Sequence, residues 1–139
     1  MTRWLLDTGP LVAYLDRADS FHKSVARQLG GFTGQLLTTS AVVTEAMHFV
    51  SADGRGPGLL ADFLADAEVQ VFDFCNAGDL HRAVSLMKKY ANVPMDFADA
   101  TLLLLGEAQK VEEILTLDRR GFTVFRTLRG KPLRIVGEE

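Results

Sequence analysis

The chain holds one cysteine, Cys75, in 139 residues. A lone thiol excludes an internal disulfide and a zinc site built on cysteines. Long apolar runs are missing as well. Stretches such as Leu102–Leu105 fall far short of the roughly 18 residues that would suggest a membrane-spanning helix. The N-terminal segment Met1-Thr2-Arg3-Trp4-Leu5-Leu6 meets Asp7 too early for the apolar centre of a signal peptide. A cytoplasmic protein that crosses no membrane is the expectation. Repeats, low-complexity tracts and linkers are absent too, so residues 1–139 read as a single domain. A basic surplus is also lacking, with a formal net charge of −3. That weighs against simple electrostatic attachment to a phosphate backbone. The cations are unevenly spread, however: Arg119, Arg120, Arg126, Arg129, Lys131 and Arg134 crowd the C-terminal part. They read either as a basic rim beside a site or as a solvated face.

What is present suits a packed fold, because 47% of the residues are hydrophobic. Trp4-Leu5-Leu6 reads as a first strand ending at Asp7, with Thr8-Gly9-Pro10 as a turn and Leu11–Leu15 as a short helix. Ser20 is a candidate cap for a second helix that runs to Leu29 and stops at Gly30-Gly31. Gln35–Thr38 reads as a second strand. Thr39 or Ser40 then caps a helix with Val42, Val43, Ala46 and Phe49 on its apolar face. Asp53–Gly58 reads as a loop, Leu59–Ala67 as a helix and Val69–Phe72 as a strand. Asn76 or Asp79 opens a helix to about Tyr90, and Pro94 precedes another over Asp96–Lys110. Glu113–Leu117, Phe122–Phe125 and Leu133–Val136 complete the strands. Strands alternating with helices predict an α/β sandwich with a mostly parallel sheet. In such folds ligands sit beyond the carboxyl ends of the strands.

Acids stand at those ends. Asp7 closes the first strand and Asp118 follows Ile114-Leu115-Thr116-Leu117. Glu45 lies about one turn into the helix after the second strand. Asp96 and Asp99, three residues apart, project from nearly one side of their helix. Each has a plain explanation: Asp7 and Asp118 as turn formers, Asp96 and Asp99 as partners of a helix dipole, Glu45 as an exposed helix residue. Together they are harder to explain that way. Glu45 is set among Val42, Val43, Ala46, Met47 and Phe49, and Asp99 between alanines ahead of an apolar run. Carboxylates near core positions are costly unless paired or metal-bound. No Lys or Arg adjoins Asp7, Glu45 or Asp99 in sequence. A divalent cation is the simplest partner, and oxygen-only ligands favour Mg²⁺ or Mn²⁺.

The motifs that carry these acids resemble a known set. Leu5-Leu6-Asp7-Thr8-Gly9-Pro10-Leu11-Val12-Ala13 resembles the opening motif of PIN domains. Thr38-Thr39-Ser40 with Glu45, Pro94-Met95-Asp96-Phe97-Ala98-Asp99-Ala100 and Thr116-Leu117-Asp118-Arg119-Arg120-Gly121-Phe122 resemble the second, third and fourth, in order. Size and third motif are most similar to the VapC group, toxin ribonucleases of toxin–antitoxin pairs. The resemblance implies a PIN-like three-layer α/β/α fold and Mg²⁺- or Mn²⁺-dependent hydrolysis of RNA. It assigns Asp7, Glu45, Asp99 and Asp118 as catalytic metal-holding acids, with Asp96 a further candidate ligand. It places Thr8 and Thr116 as hydroxyls beside the site. It also implies a homodimer and a small cognate antitoxin.

His22, His48 and His81 lack ligand spacing and read as surface or core-edge residues. Phe21, Phe63, Phe72, Phe74 and Met87 read as core, with a dimer face or antitoxin groove as the alternative. Cys75 reads as buried or inert, having no basic neighbour. Two other functions compete: an RNA-processing PIN nuclease that is not a toxin, and a phosphorylation-controlled receiver domain with Asp53 as acceptor. The receiver reading leaves Asp96, Asp99 and Asp118 unexplained.

Overall fold

The computed structural model describes residues 1–137. Five strands form one sheet in the order β3-β2-β1-β4-β5, and every pairing is parallel. They are β1 (Thr2–Leu6), β2 (Gly34–Thr39), β3 (Gln70–Phe72), β4 (Glu113–Leu115) and β5 (Arg134–Ile135). Between them run α1 (Thr8–Leu15), α2 (His22–Gly31), α3 (Ser40–Val50), α4 (Gly56–Asp66), α5 (Ala77–Lys89), α6 (Phe97–Gln109) and α7 (Arg119–Phe122). The expected parallel α/β sandwich is what forms.

Topology places the layers. From β1 to β3 the chain steps outward one way, carrying α1 to α4. It then returns across β2 and β1 to β4, carrying α5 and α6. Right-handed crossovers put these two helix sets on opposite faces. In keeping with this, α1 packs on α2, α3 and α4, while α5 packs on α6. Leu5, Leu6, Leu37, Ile114 and Leu115 fill the centre of the sheet and are buried. Such strands show no alternation because both faces are covered. Helix α6 is buried almost all round, from Ala98 to Gly106, which explains its unbroken Leu102–Leu105 run.

The order 3-2-1-4-5 differs from the 2-1-3-4-5 order of receiver domains. Asp53 also lies in the turn between α3 and α4, with its carboxylate accepting from the Arg55 amide. The receiver reading is therefore set aside.

Several boundaries differ from those read in the sequence, each for a local reason. Helix α1 starts at Thr8 because the Asp7 side chain caps it, so Thr8-Gly9-Pro10 is its first turn. Ser20 does not cap α2: no side chain does, and Asp19 accepts from the Phe21 amide just before it. Helix α4 begins at Gly56 with Pro57 in its first turn, so Asp53–Gly58 is only partly a loop. A side chain at Gly56 would strike the Val50 carbonyl, which explains glycine there. Strand β4 stops at Leu115. Phe122–Phe125 is not a strand: Phe122 ends α7, and the Asp118 carboxylate turns the chain by accepting from the Gly121 amide. Phe49 is 58% exposed rather than on the buried face of α3, and Phe21 is 52% exposed. Phe63, Phe72, Phe74 and Met87 do pack against the core. Cys75 is exposed, not buried, and its hydrogen bond to Asp73 raises the thiol pKa, which keeps it unreactive.

Candidate active site

The strand order reverses between β1 and β4, so the carboxyl ends of these neighbours frame a crevice. Asp7 leaves β1 there and is only 6% exposed. Its Oδ1 accepts from the Thr8 amide at 2.8 Å and its Oδ2 from the Thr116 hydroxyl at 2.6 Å. The same hydroxyl accepts from the Asp118 amide at 3.0 Å, tying the loop after β4 to Asp7. Asp118 is half-buried as the cap of α7.

The helix after β2 carries Glu45, half-buried. Asp96 and Asp99 arrive on α6 as a reciprocal capping box. The Asp99 amide donates to Asp96 Oδ1 at 2.8 Å, and the Asp96 amide donates to Asp99 Oδ2 at 3.1 Å. The plain reading of this pair as helix-start acids is therefore correct as far as it goes. It leaves one oxygen of each carboxylate uncommitted by the box. Asp96 also lies within hydrogen-bonding reach of Glu45, so it joins the acids of α3 and α6.

The electrostatics show that these acids are close. Burial pushes Asp7 up to about 6, with Asp96 and Asp118 adding to the rise. Asp99 is pushed up to about 8 by burial and by the charges of Asp7 and Asp96. Glu45 is raised by burial, by its hydrogen bond with Asp96 and by the charges of Asp96 and Asp7. All five expected acids thus meet at one end of the sheet.

The Thr8 hydroxyl is buried and has no hydrogen bond of regular geometry. It still lies near enough to Glu45 to counter part of that group's rise. Among the described residues, no three His, Cys, Asp or Glu side chains are gathered tightly enough to hold an ion as they stand. The donor chemistry nonetheless fits a hard divalent cation: carboxylate oxygens only, acids made costly by burial and by one another, and an orphaned hydroxyl beside them.

The other sequence candidates lie elsewhere. His22 Nδ1 pairs with the Ala13 carbonyl and His81 Nδ1 with the Ala77 carbonyl, and His48 is exposed on α3. The cationic crowd divides in space. Arg119 and Arg120 are exposed beside Asp118, whereas Arg134 pairs with Glu113 at the opposite end of the sheet. Arg126 is turned onto the carbonyls of Thr123, Val124 and Phe125. A basic rim, if formed, comes from Arg119 and Arg120. Thr39 caps α3 as one of the two residues the sequence offered; sequence reading passed over Thr101, a buried hydroxyl that meets Thr39 behind the acids. The available signal was a hydroxyl two residues after Asp99, opening an apolar run.

The α/β/α sandwich is the PIN-like fold that the sequence motifs led one to expect. No family model matches the sequence. Among curated proteins the chain is 28% identical over 134 residues to "Ribonuclease VapC26" of Mycobacterium tuberculosis, covering 95% of this chain and 98% of that protein. Among solved structures it superposes on VapC20 of Mycobacterium tuberculosis, a toxin that cleaves the sarcin–ricin loop. The TM-score is 0.76 and the identity 18%, covering 87% of this chain and 95% of that one. VapBC2 from Rickettsia felis, solved bound to a promoter DNA fragment, gives a TM-score of 0.64 at 16% identity, covering 97% and 98%. The chain shares the fold of these VapC structures and is similar along nearly its whole length to a VapC ribonuclease.

Proposed function

We propose that this chain is an endoribonuclease of the VapC type, the toxin of a toxin–antitoxin pair, dependent on Mg²⁺ or Mn²⁺. One observation carries the reading: Asp7, Glu45, Asp96, Asp99 and Asp118 converge where the strand order reverses, and burial and neighbouring acids raise the pKa values of Asp7, Glu45 and Asp99. The near full-length likeness to a named ribonuclease supports the same conclusion.

Asp7 and Asp99 are the main candidate ligands, with Asp118, Glu45 and Asp96 completing the set directly or through water. A bound divalent ion supplies Lewis-acid activation of water and compensates charge on the phosphoryl oxygens. The chain's own groups do the rest. Thr116 and the Thr8 amide fix the Asp7 carboxylate in one orientation. The capping box does the same for Asp99. Glu45, with its raised pKa and one side open, is placed to accept a proton from the attacking water. Arg119 and Arg120 offer positive charge beside the crevice to the RNA backbone.

The partner reading is a small antitoxin, supported by the likeness to a VapBC complex. A groove of about 870 Å³ runs between α1, α2, α3 and α4, with Val12, Leu15, Phe49 and Leu59 in its wall beside the charged Asp16, Arg17, Asp53 and Arg55. It suits an apolar helix face of such a partner. A cytoplasmic homodimer belongs to the same proposal. No helix among the described residues is long and apolar enough to cross a membrane.

The test is cleavage of total RNA by purified protein with Mg²⁺, Mn²⁺ or EDTA, beside Asp99→Asn. Outer-shell changes at metal sites commonly reduce activity about 10- to 100-fold, so loss of a ligand is expected to cost about 100-fold or more. Full activity in EDTA, or in Asp99→Asn, would refute the assignment.

A further inference from the structure

Behind the acids, one hydrogen-bonded chain joins the two helices that carry Glu45 and Asp99. The Val42 amide in the first turn of α3 donates to Thr39 Oγ1 at 3.3 Å. Thr39 Oγ1 lies 2.8 Å from Thr101 Oγ1. Thr101 Oγ1 donates to the Ala98 carbonyl in the first turn of α6 at 2.7 Å.

The direction of the middle bond follows from proton counting. A carbonyl only accepts, so the single Thr101 proton goes to Ala98. Thr39 must therefore donate to Thr101 and is free to accept from Val42. Each hydroxyl is used as both donor and acceptor. Thr39 is fully buried and Thr101 is 1% exposed, so neither has water as an alternative.

The placement matters more than the bonds. Thr39 is the cap of α3, six residues before Glu45, and Thr101 is two residues after Asp99. Helices α3 and α6 lie in different helix layers, and this bridge spans them at the edge where their acids meet. In the ionised state needed to hold a cation, like charges on Glu45, Asp96 and Asp99 push the two helix starts apart. A buried bond of fixed length opposes that push.

We propose that the Thr39–Thr101 hydroxyl pair is a positioning device that sets the spacing between Glu45 and Asp99, and so the fit of the site to a divalent cation. This rests on the metal-dependent reading of the site. The alternative is a purely structural pair, filling buried space and steadying the fold.

Thr101→Val keeps the shape and removes the hydroxyl, leaving the Thr39 proton without its acceptor. Thr101→Ser keeps the hydroxyl. Binding of Mn²⁺ by calorimetry, with no RNA present, is the primary measurement. Thr101→Val is expected to weaken Mn²⁺ binding about tenfold or more, in the range of outer-shell changes. Thr101→Ser is expected to stay near the original chain. If Thr101→Val fails to fold, Thr101→Ala removes the same group without bulk.

The deciding comparison uses a Glu45→Gln background. A pair acting through the Glu45–Asp99 spacing loses most of its effect there, whereas a structural pair weakens binding by the same factor in both backgrounds. Unchanged Mn²⁺ binding in Thr101→Val, or equal losses in the two backgrounds, overturns the proposal. If the original chain binds neither Mn²⁺ nor Mg²⁺, the metal reading falls and takes this role with it. If the original chain binds and Thr101→Val binds equally well, the hydroxyl pair alone falls.

Discussion

At the scale of single residues, the site is a conflict between charge and burial. Asp99 is the sharpest case, since its carboxyl is pushed up to about 8 by burial and by the charges of Asp7 and Asp96. Replacing it with Asn removes a charge that the metal-free fold tolerates poorly. Asp99→Asn is therefore expected to melt at a higher temperature than the original chain in EDTA at pH 8.5. It is also expected to lose the stabilisation that Mg²⁺ confers on the original chain. Differential scanning fluorimetry with and without Mg²⁺ reads both effects, and a lower melting point in EDTA would contradict them. The acids were legible in the sequence because charged residues stood at strand ends among apolar neighbours. Thr101 and its pairing with Thr39 were not, because a buried threonine and an exposed one look alike until the partner 62 residues away is known.

At the scale of elements, the acids double as helix starters. Asp7 caps α1, Asp96 caps α6 and Asp118 caps α7. Of the three, only Asp96 was read in the sequence as a helix-start acid; Asp7 and Asp118 were read as turn formers, so α1 was begun three residues late and α7 was missed. The cap role of Asp96 leaves its proposed metal role open. Substitution separates them. Asn caps as well as Asp, whereas Ala forfeits about 1 kcal/mol. Asp96→Ala is expected to lower stability by about that amount and Asp96→Asn by little, in urea unfolding. If Asp96 also ligates metal, both weaken Mn²⁺ binding; if it only caps, Asp96→Asn binds as the original chain does.

Gly121 makes a related point. A side chain there would run into the Asp118 carboxylate that holds the turn. Gly121→Ala is expected to displace Asp118 and reduce RNA cleavage, while far-ultraviolet circular dichroism stays near that of the original chain. Activity equal to the original would show that Asp118 tolerates the shift. The same turn explains the misread strand. Phe122-Thr123-Val124-Phe125 looks extended by composition, but Asp118 and Gly121 bend it into α7 before any pairing begins.

At the scale of the whole molecule, the cluster makes stability depend on pH. Asp7 and Asp99 bind protons more tightly when folded, at about 6 and about 8, than in an unfolded chain at about 3.9. Their share of stability is fully present below about pH 4 and is lost as pH rises through about 6 and then about 8. The metal-free protein is thus expected to melt higher at pH 5.5 than at pH 8.5, and saturating Mg²⁺ is expected to narrow the gap. Melting curves in EDTA that rise over this interval would count against a buried acid cluster. The architecture itself was readable because strands and helices alternate. The all-parallel order was not, since nothing in a strand's residues names its neighbour.

The central place of β1 has one more consequence, in the order of synthesis. Asp7 is made before the other acids of the site, yet the hydroxyl that orients it belongs to Thr116, 109 residues later. Strand β1 also pairs on one side with β4, which arrives only after α6. A growing chain therefore carries its first acid long before it has the strand, the hydroxyl and the fourth motif that complete the crevice. In a protein read as a destroyer of RNA, the destructive part stays incomplete until β4 and the motif after it have been made.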